Sequence, residues 1–194
     1  IFVRPNFEKY RAASKLTRQV FAEYDPNFIA ISLDEASLDV TSVIVQRLSS
    51  QSGKKPDLTD HKQMENELPL SIFPADLVAG TAKEIALEIQ QKVTAATRLT
   101  CSVGVAPNKY LAKICADVNK PNGLYSLLPP TQPQVYEFIR GLPVRKVNGI
   151  GKVTESLLLG LGIKKVSDFL DLKLWLFLLF SARSFSYFME VACA

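Results

Sequence analysis

Histidine and cysteine are scarce in this sequence: one histidine, His61, and three cysteines, Cys101, Cys115 and Cys193, among 194 residues. No two cysteines form a C-x-x-C pair, so neither a zinc site nor a disulfide framework is expected, and the usage suits a reducing compartment. Long apolar runs are also lacking. The strongest, Leu174-Trp-Leu-Phe-Leu-Leu-Phe180, has seven residues and is bracketed by Lys173 and Arg183. A membrane-spanning helix needs ~20, so the run is expected to form a buried helix and no membrane partner is expected. Neither sign of charge dominates: 23 Lys and Arg against 19 Asp and Glu leave +4, which admits a nucleic-acid partner without requiring one. No repeat of fixed period is visible. The chain opens at Ile1 with no methionine and no signal-like segment, and the expectation is a fragment of a longer chain or a gene reading that lacks its first exons.

What is present is ordinary globular material, 47% hydrophobic and 22% charged, enough to bury a core. Residues 1–3 read as a short strand. Pro5-Asn6 opens a helix with apolar positions at Phe7, Tyr10, Ala13, Val20, Phe21 and Tyr24, close to helical spacing. Asp25-Pro26-Asn27 ends it. Residues 28–33 and 38–41 read as two strands, and the polar stretch 51–74 as an irregular insertion. Thr81 and Glu84 have capping-box spacing, predicting a helix that buries Ala82, Ile85, Ala86, Ile89 and Val93. A strand over 99–106, a helix from Pro107-Asn108 to about Val118, a turn at 120–123 and a closing strand over 124–128 complete an α+β layer, a mixed sheet with helices on one face. Pro129-Pro-Thr-Gln-Pro133 is the clearest linker. It divides residues 1–130 from a helical domain, 131–194.

Three constellations carry chemistry. Asp34 and Glu35 sit between the two early strands. Neighbours on a regular strand face opposite ways, so both reach one site only if the chain bends there. A bent carboxylate pair suits a hard cation such as Mg²⁺, shared with substrate phosphates; it also suits a solvated hairpin turn, and spacing leaves both open. Asp39 reads either as a neighbour of the site or as a surface strand residue. Lys113 and Asp117, four apart, are placed to pair along a helix, while Lys120 lies in a Pro-Asn-Gly turn from which a lysine can meet a phosphate or simply face water. Finally, Val147-Asn-Gly-Ile-Gly-Lys152 places two glycines between helical patterns. From Arg140 to Lys165 six basic residues face one acidic residue, Glu155. A glycine hairpin before a helix exposes backbone N–H groups to phosphate, and the charge agrees, which favours a helix-hairpin-helix over a plain turn.

These segments together resemble the Y-family (translesion, DinB/UmuC-type) DNA polymerases. Ile31-Ser-Leu-Asp-Glu-Ala-Ser-Leu-Asp-Val-Thr41 resembles the family's second carboxylate motif. The segment from Cys101-Ser-Val-Gly-Val through Asn119-Lys-Pro-Asn-Gly123 resembles its palm helix and phosphate lysine, and residues 142–155 resemble its thumb. Pro5-Asn-Phe-Glu-Lys-Tyr-Arg11 and the polar insertion are similar to the kappa branch. The resemblance implies a ferredoxin-like palm followed by an all-α thumb, with Asp34 and Glu35 as catalytic, metal-binding carboxylates for two Mg²⁺ ions and Lys120 on the triphosphate of a dNTP. Arg145, Lys146, Gly149, Gly151 and Lys152 would hold primer–template DNA. It further implies a nuclear location and, for the full-length protein, a sliding clamp and other translesion polymerases as partners. The family's first catalytic aspartate, its fingers and its little finger fall outside the matched motifs, and residues from Leu172 onward look diverged, so this chain by itself is expected to be an incomplete and inactive polymerase. The competing reading is a non-catalytic module that holds DNA through the thumb; a cyclase-like nucleotide domain is disfavoured by the hairpin.

Overall fold

In the computed structural model, residues 3–52 and 69–193 are described. The chain divides into two compact units, Ile1–Pro129 and Pro130–Ala194. In the first, helix α1 (Phe7–Ala22) begins where expected: Asn6 caps it by accepting from the Lys9 amide at 3.1 Å. Strands β1 (Ile29–Ala30) and β2 (Ala36–Ser37) form an antiparallel hairpin. Helix α2 (Thr41–Ser52) follows at once. Residues 38–41 therefore do not form the expected strand. Asp39 stops the ladder there, its carboxylate accepting from the Thr41 amide at 3.0 Å, and Ile44, Val45 and Leu48 then share a buried helical face.

Gln51 and Ser52 close α2, and Pro69–Ile72 forms a turn of 3₁₀ helix. The irregular insertion expected at 51–74 is thus narrowed at both ends; its middle, with His61, lies outside the described residues, as do Ile1 and Phe2 of the expected first strand. Helix α3 (Ala75–Thr97) starts six residues before Thr81. Pro74 supplies the boundary, and Thr81 lies buried mid-helix, so the capping-box spacing was coincidental. Helix α3 is the axis of the unit. One side packs Ala82, Ile85, Ile89 and Val93 against Val20 and Tyr24 of α1 and Ile44, Val45 and Leu48 of α2. On it Gln90 is buried, its amide donating to the carbonyls of Cys101 (2.7 Å) and Gly123 (3.3 Å).

Those two carbonyls flank β3 (Val103–Val105) and β4 (Leu124–Ser126), which pair in parallel and are joined by helix α4 (Lys109–Ala116). The architecture is α+β, but the described strands form two two-stranded sheets, not one mixed sheet. The strands are shorter than their sequence patterns because turn chemistry closes them: Asp34 and Asp39 around the hairpin, Pro107-Asn108 and Pro121-Asn122-Gly123 around α4. Helix α4 sits on β3 through Gly104, where a Cβ would lie 2.0 Å from the Ala112 carbonyl oxygen and 2.4 Å from the Ala116 nitrogen.

The second unit is helical: α5 (Gln132–Gly141), a 3₁₀ turn (Val144–Lys146), α6 (Lys152–Gly160), α7 (Ser167–Asp171), α8 (Lys173–Leu179) and α9 (Ala182–Cys193). Reciprocal backbone bonds, Val144 N to Lys164 O and Val166 N to Leu142 O, both 3.0 Å, tie its loops together. Phe169 and Phe188 stack at 5.0 Å in its core, so the diverged tail supplies core residues, with Val191 and Ala192 also buried. The apolar run forms α8, but only Leu176 is buried; Leu174, Trp175, Phe177, Leu178 and Leu179 are 55–65% exposed. That corrects the expected buried helix: in a run this uniformly apolar one face finds the core and the rest remains outside. Among the described residues no helix is long and apolar enough to cross a membrane.

Two outcomes are expected for the first unit. Gly104→Ala forces a methyl into the α4 backbone and should lower stability by about 2–4 kcal/mol, read by urea denaturation. Glu88 of α3 accepts from Arg47 (2.5 Å) and Tyr24 (2.7 Å). Arg47 first and Tyr24 second hold its carboxyl down, from 4.5 to about 2. A depressed acid stabilises the fold above its unfolded value and ceases to as pH falls through its folded one. Glu88→Gln should cost about 1 kcal/mol near neutrality and flatten the loss of stability between pH 4.5 and 2; an unchanged acid profile would show that the network does not govern it.

Candidate functional site

The β1–β2 hairpin presents Asp34 and Glu35 in its turn. Ile31 N (2.9 Å) and Ser32 N (3.2 Å) both donate to the Glu35 carbonyl, which makes the bend that brings adjacent carboxylates to one edge. The Ser32 hydroxyl donates to Asp34 Oδ1 at 2.6 Å. Arg18 of α1 buttresses the turn by donating to the Ser32 carbonyl (3.2 Å), and Asp25 accepts from the Asp39 amide (2.9 Å). Sequence reading missed both buttresses, since nothing local marks residues that act 14 positions away. Asp39 is not on a strand; its carboxylate accepts from the Thr41 amide that begins α2.

Helix α4 brings the second half. Asn108 caps it, accepting from Leu111 N at 2.9 Å, and Leu111, Ile114 and Cys115 are buried beneath it. Burial pushes the Cys115 thiol up to about 11, so it is inert packing. Lys113 does not pair with Asp117 along the helix. Its Nζ lies 2.6 Å from Glu35 Oε2, while Asp117 pairs with Lys120 at 2.5 Å. The reason is geometric: Lys113 faces the hairpin, and Asp117 ends the helix next to the 120–123 turn. Lys120 is more than half exposed. Asp117 first, and the fields of Glu35 and Asp34 after it, raise its pKa, so it stays an ammonium. Two regions far apart in sequence, the hairpin turn and the α4 helix with the turn after it, thus assemble carboxylates and lysines at one exposed edge.

Asp34 Oδ2 and Glu35 Oε1 have no hydrogen-bond partner among the described residues. As hard oxygen donors open to solvent they fit Mg²⁺, which is commonly bound by one or two carboxylates with water or substrate phosphate completing the shell. Among the described residues no three His, Cys, Asp or Glu side chains come together, so the set is these two carboxylates.

In the second unit the glycine segment makes a tight hairpin between the Val144–Lys146 turn and α6. Val147 and Ile150 are buried as its anchors. Gly149 has φ +88°, a conformation that disfavours any side chain; Gly151 begins α6 in extended geometry with no side-chain cap, so the first-turn N–H groups of α6 have no partner within the helix. Arg145 donates to the Ile150 carbonyl at 2.6 Å and lies 3.4 Å from Glu155, bracing the hairpin with part of its guanidinium. Lys146 and Lys152 are exposed beside it. Tyr187 of α9 donates to the Asn148 carbonyl and lies over Gly149, a support that its distance in sequence concealed. Gly149→Ala should cost about 1–2 kcal/mol from backbone strain, since the added methyl would meet Tyr187 only at ordinary contact distance. The only tryptophan, Trp175, belongs to this unit, so its fluorescence in a denaturant titration measures that loss.

The sequence model of the impB/mucB/samB family matches residues 1–117. DNA polymerase kappa of Mus musculus is 38% identical over 236 aligned residues, covering 99% of this chain and 28% of that protein. The crystal structure of DinB from Sulfolobus solfataricus superposes with a TM-score of 0.73 at 28% identity, over 99% of this chain and 47% of that one. An insertion ternary complex of Dbh DNA polymerase gives 0.72 at the same identity, over 99% and 46%. The chain therefore spans less than a third of the mouse protein and less than half of the solved ones. Its motifs, its fold and the matched family model agree that the chain belongs to the impB/mucB/samB family, the UmuC/DinB-type group of Y-family polymerases.

Proposed function

We propose that this chain is the palm and thumb portion of a translesion DNA polymerase, and that the Asp34–Glu35 edge is its share of the nucleotidyl-transfer site. The observation that carries the reading is the convergence of Asp34, Glu35, Lys113, Asp117 and Lys120 from a hairpin turn, a helix and the turn after it. Asp34 and Glu35 would hold Mg²⁺, which when bound supplies Lewis-acid stabilisation to phosphoryl oxygens. Lys120 stays cationic beside them and meets the triphosphate of an incoming dNTP as a point charge. The β3–α4–β4 unit is the part of a ferredoxin-like palm that these residues need.

The hairpin at 147–151 acts as a helix-hairpin-helix. Its open N–H groups and Lys146, Lys152 and the remaining face of Arg145 grip the duplex backbone, which positions DNA without reading sequence. The names of the kappa relatives support the polymerase assignment; primer–template DNA and dNTPs as substrates, the nucleus as location and, for the full-length protein, a sliding clamp and other translesion polymerases as partners belong to the same proposed reading. With two carboxylates in the described set, the chain by itself holds primer–template without extending it efficiently, which is also what a non-catalytic DNA-holding module would do.

Two measurements on the purified chain test this. Fluorescence anisotropy should show salt-dependent binding of a primer–template duplex, and Lys146→Ala with Lys152→Ala should lower the log–log salt slope by about 2. Single-nucleotide extension in Mg²⁺ should be absent. Extension that disappears in Asp34→Asn would show that the site is complete after all, and failure to bind duplex at low salt would remove the thumb assignment.

A further inference from the structure

Glu35 already has a cation. Lys113 Nζ lies 2.6 Å from Glu35 Oε2, across 78 positions of sequence. The two side chains are 36% and 44% exposed, so the pair stands where ions and water reach it. The lysine is carried by a fixed backbone: α4 is anchored by three buried side chains and by its close approach to Gly104. The edge holds Asp34, Glu35 and Asp117 against Lys113 and Lys120, a balance of three negative and two positive groups. Without Lys113, Glu35 would stand next to Asp34 with no ion pair of its own, since Lys120 is paired with Asp117.

We propose that Lys113 is the resident counter-cation of the Asp34–Glu35 pair: it occupies Glu35 Oε2 while no dication is bound and withdraws when one is. The inference rests on the pair being a divalent-cation site, as argued above. An ammonium and a dication on one carboxylate repel each other, so a dication must displace the ion pair in order to bind with both carboxylates. Lys113 is then a positioning residue with two effects. It keeps the empty pair aimed and neutralised, and it lowers the intrinsic affinity for the dication. A lysine that only braced the fold would have the first effect and not the second.

Titration of Mn²⁺ alone into the whole chain, followed by the loss of the free-ion electron paramagnetic resonance signal at low ionic strength, separates the cases. Lys113→Met keeps the stem and removes the charge, and should bind Mn²⁺ about three- to fivefold more tightly. Lys113→Arg should match the unsubstituted chain, and Glu35→Gln should bind more weakly. Because salt screens the exposed ion pair, about 0.3 M KCl should narrow the gap between Lys113→Met and the unsubstituted chain. Equal or weaker binding by Lys113→Met, with Glu35→Gln still impaired, would overturn the counter-cation role and leave the cation site standing. Binding unaffected by Glu35→Gln and Asp34→Asn alike would remove the cation site itself, and the role of Lys113 with it.

Discussion

The approach of α4 to β3 at Gly104 is the constraint on which the first unit's chemistry depends. With hydrogen in place of a side chain there, the helix backbone settles against the strand, and this fixes both the point from which Lys113 reaches across to Glu35 and the place where the chain leaves the helix at Asp117 to reach Lys120. Gln90 holds the other side of the same arrangement by bonding the carbonyls just before β3 and just before β4. The lysines are therefore positioned by main-chain packing, and the carboxylates by a turn whose amides converge on one carbonyl. Neither half depends on a long sheet.

The legibility of the chain follows from how local each cause is. Helix α1 was readable because Asn6, the apolar spacing and Asp25-Pro26-Asn27 all act within a few residues. Helix α2 was hidden because Val43, Ile44 and Val45 favour strands, and only the Asp39 turn and the helical face completed by Leu48 override them. The start of α3 was misplaced because a plausible Thr81–Glu84 cap lay inside a helix begun by Pro74. At the site, residue types and motifs singled out Asp34, Glu35 and Lys120 as candidates. The partners were another matter: that Lys113 faces Glu35, and that Asp117 faces Lys120, is settled by the placement of α4 against the hairpin, which no spacing along one helix encodes.

The second unit depends on fewer, tighter devices. Its glycine hairpin is held from within by Val147 and Ile150 and from outside by Arg145 and Tyr187, so the backbone N–H groups at the start of α6 are presented by a rigid loop. Arg145 shows why a basic residue near a hairpin is not automatically a free cation: its charge is partly answered by Glu155 and its geometry by the Ile150 carbonyl. Lys146 and Lys152 carry the more open charge.

Helix α8 keeps five large apolar side chains in water around one buried leucine. Water bordering so much clustered hydrocarbon loses orientational freedom, and salts excluded from protein surfaces sharpen that penalty. An apolar cluster of this size on the isolated chain is a surface for self-association, one that sulfate or phosphate strengthens and mild chaotropes weaken.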